Sequence, residues 1–295
     1  MESWLGSIAL GLCYGFLAMG VYITMRIYNF PDITADGSLT LGASVTATML
    51  VSGAPPILAI IVASAMGFVA GTLTGVIHTK LRVNGLLSGI LVTTALYSIN
   101  LRIMGRANVP LLTVQTILTP FEKSLSALPK YVVAITFFSV VILLIWVLLA
   151  LLFKTNFGLA MRATGDNELM IAAQGVDTDF MKIIGIGLSN ALIALSGSLV
   201  AQYQGFADIG MGIGIIVFGL ASVIIGESLV FGARRRVGVT GLLLLVVVGA
   251  IVFRMLVAFA LQIGLDPIDF KLITAVFVLL AVGLPQLRVY LRYLR

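Results

Sequence analysis

The chain reads as a series of long apolar stretches separated by short polar or turn-forming segments. Crossing a hydrocarbon core of about 30 Å takes about 20 mostly apolar helical residues. The stretches are continuous and lack the alternation of lipid-facing strands, which predicts helices rather than a barrel. The pattern predicts about nine transmembrane helices, within a range of eight to ten, near residues 5–25, 37–53, 57–78, 85–104, 131–153, 183–203, 212–231, 237–261 and 270–287.

Turn-forming residues mark several boundaries between these spans. Pro55 and Pro56 separate the second from the third, Asn84 precedes the fourth, and the pair Asp266-Pro267 divides the last two. The second span is short and rich in glycine, so a broken or re-entrant element is an alternative to a simple crossing. The predicted fold class is an all-α polytopic membrane protein, with residues 1–295 forming a single transmembrane domain.

Composition excludes a soluble fold and most site chemistry. Of the 295 residues, 60% are hydrophobic and 10% are charged, against about 25% charged in soluble domains. Cys13 is the single cysteine and His78 the single histidine, which excludes an internal disulfide and makes a Cys/His metal site or a Cys–His nucleophile pair implausible. We predict no catalytic residue, no metal and no cofactor.

Basic residues predict the orientation, because cytoplasmic loops carry an excess of Lys and Arg. With a cytoplasmic C-terminus and an outer N-terminus, twelve of the 18 basic residues fall inside. The net charge of +6 is then a topology signal and implies no nucleic-acid partner. The inner set is Arg26, Lys80, Arg82, Lys154, Arg162, Lys182, Arg234, Arg235, Arg236, Arg288, Arg292 and Arg295.

One internal echo favours an inverted repeat. Glycines and apolar residues recur 125 positions apart, in segments that run in opposite directions in this topology. Chance recurrence among glycine-rich spans is the alternative. The echo pairs Gly85, Gly89, Ile90 and Val92 with Gly210, Gly214, Ile215 and Val217.

The longest polar interruption runs from residue 154 to 182 and lies inside in this topology. Thr164 or Asp166 is suited to cap a short helix, Glu168 to its positive N-terminal end, and Gly175 to its C-terminal stop. The small apolar face of that helix fits a groove on a partner protein, and packing on the chain's own bundle is the alternative. That face comprises Leu169, Met170, Ala172 and Ala173.

Two stretches resemble sequences of a known family, the ATP-binding-cassette importer permeases of the branched-chain amino acid and simple-sugar type. The first, Asn29-Phe30 followed by residues 37–43, is similar to the family's first signature, with six extra residues between its halves. The second resembles the family's cytoplasmic coupling loop and next helix. It comprises Gly158, Arg162, Ala163, Asn167, Ala172, Ala173, Gly175, Ser189, Ala191, Leu192 and Gly197.

The resemblance implies partners that spacing does not show. It implies two permease subunits, forming a homodimer, with two cytoplasmic ATPases and an extracytoplasmic solute-binding protein, in the bacterial cytoplasmic (inner) membrane. Residues 84–91, 98–105 and 201–214 look like a subgroup associated with tryptophan or tyrosine uptake. The residues implied to couple to the ATPase are Arg162, Thr164, Asp166, Asn167, Glu168, Leu169, Ala172, Ala173 and Gly175.

Polar residues inside the spans are the candidates for a translocation path, because a polar group facing lipid without a partner is costly. Bonds within one helix and close helix packing are the alternative. Arg254 lies in a span, where it either reaches the outer interface or contacts another subunit or a substrate carboxylate, and Glu227 is predicted to pair with Arg234–Arg236. The candidates for the path are Thr40, Ser44, Thr93, Tyr97, Asn100, Ser189 and Asn190.

The predicted function is a permease subunit that moves a small solute, an apolar or aromatic amino acid. No G-x-x-x-x-G-K-[ST] occurs in the chain, so ATP hydrolysis is expected on a partner. The alternatives are a permease for a simple sugar and a secondary transporter driven by an ion gradient. A secondary transporter usually carries ionisable groups at mid-membrane, and Arg254 is the single charge found well inside a predicted span.

Overall fold

The computed structural model describes residues 2–124, 129–229 and 238–263, with positions 272, 274–276 and 279. Helices dominate this part of the chain, in agreement with the predicted fold class. The elements are α1 (Glu2–Tyr22), a π-helical turn (Ile23–Ile27), α2 (Thr34–Val51), α3 (Pro56–Lys80), α4 (Gly85–Met104), β1 (Asn108–Pro110), α5 (Thr119–Ser124), α6 (Lys130–Leu152), α7 (Asn156–Asp166), α8 (Glu168–Ala173), α9 (Thr178–Gln204), β2 (Phe206–Asp208), α10 (Ile215–Ser228) and α11 (Val239–Gln262).

Each of the first eight predicted spans corresponds to a helix. Among the described residues, six helices are long and apolar enough to cross a membrane, namely α1 with the π-helical turn, α3, α4, α6, α9 and α11. The helix α2 is less apolar, and α10 has 14 residues. The span predicted at 270–287 lies almost wholly outside the described residues. The protein is therefore an all-α multi-pass membrane protein, and the count of about nine stays a prediction.

The second span is one uninterrupted helix, so the alternative of a broken element is wrong. Asp36 lies in the first turn of α2, where a carboxylate is stabilised by the positive end of the helix. The glycines that suggested a break are contact points. A side chain at Gly37 would meet Leu96 of α4, and one at Gly42 would overlap the backbone of Ala194 in α9.

The 27-residue helix α9 lies at the centre of the bundle and packs against α1, α2 and α3. Small residues allow the close approach, as is usual where lipid gives helices no hydrophobic reason to associate. Gly197 of α9 lies against the backbone of Leu39, and Gly67 of α3 lies against Asn190. Beside the contact between α2 and α9, Thr46 donates a hydrogen bond to Ser198 at 2.6 Å.

Contacts at the helix ends assign them to two sides. Gly105 and Gly205 end α4 and α9 in the left-handed conformation, and the strands that follow them, β1 and β2, pair antiparallel. The C-terminal ends of α4 and α9 therefore share one side. On the other, the Lys80 ammonium is 2.8 Å from the Asp179 carboxylate. This agrees with the predicted topology, in which residues 80 and 182 lie on the same side.

The glycines that suggested an inverted repeat occupy different kinds of structure. Gly85 and Gly89 belong to α4, whereas Gly210 and Gly214 precede the first residue of α10. The glycines of the echo therefore do not mark corresponding helical turns, whereas its apolar residues lie in α4 and α10, and the inverted repeat stays a prediction. Between Gly210 and Gly214, Gly212 is closely packed, because a side chain there would overlap the backbone of Asp36.

Candidate functional site

The predicted coupling loop folds into two helices rather than one. Thr155 caps α7, accepting a hydrogen bond from the Gly158 N–H at 3.2 Å. Asn167 caps α8, and its side-chain oxygen accepts from the Met170 N–H at 3.0 Å. The backbone of Asn167 is extended, with φ −156° and ψ 95°, as an N-cap requires. The two helices thus meet at a sharp corner.

The prediction that Thr164 or Asp166 caps the short helix is wrong. Thr164 is buried within α7 and donates its hydroxyl to the Ala160 carbonyl at 2.8 Å, and Asp166 is the last residue of α7. The predicted stop is confirmed, because Gly175 follows α8 with φ 86°. Arg162 lies on α7, partly exposed.

The short helix α8 projects from the bundle and has no buried residue. Leu169 is 83% exposed and Met170 is 61% exposed. Ala172 and Ala173 are also exposed. The Glu168 carboxylate is 2.6 Å from the Lys182 ammonium at the start of α9. The helix is therefore tied to α9 by an ion pair and presents an apolar surface outward.

Four of the predicted path residues make contacts inside the bundle. In α2, the Thr40 hydroxyl donates to the Asp36 carbonyl at 3.2 Å and the Ser44 hydroxyl to the Thr40 carbonyl at 2.7 Å. In α9, the Ser189 hydroxyl donates to the Gly20 carbonyl at 2.7 Å. Asn190 donates its amide to the Asp32 carboxylate at 2.7 Å. These four residues are buried.

The three candidates on α4 face two directions. The Thr93 hydroxyl donates to the Ile33 carbonyl at 2.9 Å, and the Asn100 amide donates to the Gly37 carbonyl at 3.2 Å, so both face α2. Tyr97 is 50% exposed on the surface of the bundle. Of the seven predicted path residues, Tyr97 is therefore the one whose side chain has an open face.

Two carboxylates that are not among the predicted site residues join distant parts of the chain. Asp32 is buried between α1 and α2, and it accepts from the Thr34 N–H at 2.9 Å and from Asn190. Asp36 accepts from the N–H groups of Gly214 at 2.8 Å and Ile216 at 3.0 Å, and so caps α10 from another helix. The sequence did contain a signal for these contacts, because two acidic residues close together in an apolar region are costly unless they have partners.

Replacing Asp36 by alanine is expected to lower the free energy of unfolding by about 1 kcal/mol, the usual cost of losing a helix N-cap. The physical reason is that two N–H groups at the start of α10 would lose their acceptor. The measurement is the thermal unfolding midpoint in detergent. Asp166→Ala, which changes an exposed carboxyl at the end of α7, is the control, and equal midpoints for the two variants would contradict the capping role.

Two further predicted residues have defined surroundings. The Arg254 guanidinium lies over the Tyr14 ring, 5.9 Å from its centroid, and lines a cavity of about 360 Å³ between α1, α10 and α11. Glu227 forms an ion pair with Arg26 in the π-helical turn that follows α1. Its predicted partners, Arg234–Arg236, lie outside the described residues.

Comparison with known proteins matches the whole length of the helical bundle. The family described as branched-chain amino acid transport system, permease component, matches residues 3–283. A tyrosine transport system permease protein of Clostridioides difficile is 40% identical over 281 residues, covering 95% of this chain and 90% of the relative. An uncharacterized protein of Rickettsia prowazekii is 34% identical, covering 90% of this chain and 92% of the relative.

A solved structure shows the same fold at low identity. It is PsaBC from Streptococcus pneumoniae in complex with Fab, with a TM-score of 0.53 and 14% identity, covering 95% of this chain and 89% of that one. The sequence matches confirm the resemblance on which the functional prediction rests. The chain belongs to the family of branched-chain amino acid transport permease components, and it is the transmembrane permease subunit of an ATP-binding-cassette transport system.

Proposed function

We propose that two copies of this chain form the translocation path of an importer in the bacterial cytoplasmic membrane. Two cytoplasmic ATPase subunits drive the importer, and an extracytoplasmic solute-binding protein delivers a small apolar or aromatic amino acid. The observation that carries this proposal is α8, a capped helix that projects from the bundle with an apolar surface. Exposed leucine and methionine outside a bilayer are typical of a protein–protein contact.

The coupling role of the segment 154–182 is supported by how α8 is held. Its N-terminus is fixed by the Asn167 cap, and its first residue is fixed by the ion pair between Glu168 and Lys182. A helix held at its base and exposed along its length fits a groove on a partner. In the proposed assembly the groove belongs to the ATPase, and Leu169 and Ala172 enter it.

The second copy is proposed to face α4, because α4 and α6 contrast in composition at equal burial. In the most apolar 18-residue stretch of each helix, 28% of the residues are buried. Of the six helices long enough to cross a membrane, however, α6 is the most apolar and α4 the least. The surface of α6 suits lipid. The surface of α4 includes the polar groups of Tyr97 and Ser98, which are costly against lipid. A second copy with the path between the two helices gives these groups partners.

The candidates that form hydrogen bonds within the bundle have a supporting role in this proposal. Thr93 and Asn100 fix α4 against α2, while Ser189 and Asn190 fix α9 against α1 and the residues that follow it. Thr40 and Ser44 add hydroxyls to the centre of the bundle. We propose that these residues shape the path and that Tyr97 lines it.

An amino acid is the proposed solute because uncharged side chains line the proposed path. A zwitterion with an apolar or aromatic side chain carries no net charge and requires no compensating charge along the way. The relative from Clostridioides difficile is named as a tyrosine permease. A simple sugar would also suit an uncharged lining, and the transport assay below separates the two.

The test begins with the tagged chain purified from its own membranes. We expect an ATPase subunit to accompany it, and vesicles containing the full assembly and its binding protein to accumulate tyrosine, tryptophan or leucine when supplied with ATP. Ribose, assayed in parallel, is expected to stay outside. Purification without an ATPase would overturn the importer assignment, and accumulation of ribose alone would overturn the solute.

A further inference from the structure

The connection between α1 and α2, residues 23–33, contains two irregular backbone conformations. We call it the α1–α2 junction. It begins as a π-helical turn, a rare conformation that is frequent at functional sites. Asn29 then adopts φ 49°, a left-handed conformation that is uncommon outside glycine. Strained backbone of this kind persists where surrounding contacts hold it.

The junction touches the coupling segment just before α8. Gly165, three residues ahead of α8, lies against the Ile27 carbonyl oxygen, and a side chain at that position would overlap it. The Asn29 amide donates to the Gly165 carbonyl at 3.4 Å. The end of α7 therefore rests directly on the junction backbone.

The junction also touches the coupling segment just after α8. The Tyr28 hydroxyl donates to the Met181 carbonyl at 2.7 Å in the first turn of α9. The ring of Tyr28 lies over Gly185, where a side chain would overlap it. Burial raises the pKa of the Tyr28 phenol above its ordinary value, so the hydroxyl keeps the proton that it donates. The contacts at Gly165 and Met181 thus flank α8 on both sides.

The far end of the junction is fixed to the bundle. Asp32 is buried and accepts hydrogen bonds from the Thr34 N–H in α2 and from the Asn190 amide in α9. Phe30 lies against Gly85 at the start of α4. Three residues separate Tyr28 from Asp32, so the segments flanking α8 and the start of α2 are joined through one short piece of chain.

We infer that the α1–α2 junction is a positioning element that passes movement of α8 to α2 and α4, with Tyr28 and Gly165 as its contact residues. The inference rests on the proposed coupling role of α8. None of the residues of α8 is buried, so a displacement imposed on α8 reaches the bundle through the Glu168–Lys182 ion pair and through the segments that flank the helix. Both flanking segments contact the junction. The junction leads directly into α2, which packs against α9 and α4.

The experiment uses Tyr28→Phe in the full assembly reconstituted in vesicles, with uptake and ATP hydrolysis measured together. The variant removes one hydroxyl and leaves the ring in place. We expect normal co-purification of the ATPase and normal basal hydrolysis, while solute accumulated per ATP hydrolysed falls about threefold or more, as expected for one lost hydrogen bond. Tyr203→Phe makes the same chemical change at the other end of α9 and is expected to behave as wild type.

A second variant, Gly165→Ala, separates α7 from the junction sterically. The same ratio is expected to fall about tenfold, because the added methyl group meets backbone that cannot move aside. If Tyr28→Phe and Gly165→Ala both keep the wild-type ratio, the inference is overturned. It is also overturned if Tyr28→Phe loses the ATPase altogether, since the junction would then serve assembly alone. Absence of ATP-driven uptake in the wild type would instead refute the proposed function.

Discussion

Leu169→Asp is expected to lower ATP-driven uptake by about tenfold or more. Leu169 is 83% exposed on α8, and burying a leucine in a partner's groove contributes about 1.5–3 kcal/mol. A carboxylate at the same place loses that contribution and must also be desolvated without a partner. The two effects act together on the binding of the ATPase. The measurements are the amount of ATPase that purifies with the tagged chain and the initial rate of uptake in vesicles.

Leu81→Asp is the matched control for this prediction. Leu81 is 68% exposed between α3 and α4 and lies on the same predicted side of the membrane as α8. The substitution introduces the same charge at a comparable exposure but away from the proposed contact. We expect Leu81→Asp to retain the ATPase and most of the uptake. Equal losses for Leu81→Asp and Leu169→Asp would show that α8 has no special role in docking.

The boundaries of α3 and α4 were predictable because local chemistry decides them. Pro56 begins α3, where its missing N–H costs nothing. Asn84 caps α4 by accepting from the Leu86 N–H at 2.9 Å. Such signals act over a few residues and are legible in the sequence. The predicted spans near 57–78 and 85–104 accordingly differ by at most two residues from the helices observed.

The coupling segment was predicted less well because several residues there suit the same role. Thr164, Asp166 and Asn167 all have side chains that can cap a helix. Burial of Thr164 against the bundle extends α7 past it, which leaves Asn167 to take the extended conformation. Tertiary packing therefore decides which of the three residues caps α8, and the local sequence pattern carries no information about that packing.

The polar contacts inside the bundle could not be predicted from local sequence, because they join residues far apart in the chain. The bond from Asn190 to Asp32 spans 158 positions, and the bond from Gly214 to Asp36 spans 178. The sequence flagged Asn190 as a polar residue in a span but gave no sign of its partner. Tyr97 follows Thr93 by four positions and precedes Asn100 by three, a spacing that puts all three near one helix face, although about 60° of rotation separates Tyr97 from Asn100. That rotation is enough to put Tyr97 on the surface.

Gly197→Ala is expected to lower the free energy of unfolding by about 1–3 kcal/mol, the usual cost of overpacking a tight core. At the crossing of α2 and α9, a methyl group on Gly197 would overlap the Leu39 carbonyl of α2. Backbone cannot rotate away as a side chain can, so the two helices must separate. Separation would also stretch the 2.6 Å hydrogen bond between Thr46 and Ser198. The measurement is the unfolding midpoint of the detergent-solubilised chain.

Gly6→Ala provides the matched control, because the added methyl group at Gly6 in α1 would meet its nearest neighbour, the Tyr203 hydroxyl, at an ordinary 3.6 Å. Its unfolding free energy is expected to stay within about 0.5 kcal/mol of wild type. Both variants raise helix propensity by the same substitution, so their difference isolates the steric effect. If Gly197→Ala proves as stable as Gly6→Ala, the α2–α9 crossing must tolerate a wider separation. Close contact through glycine would then not be what fixes α9 at the centre of the bundle.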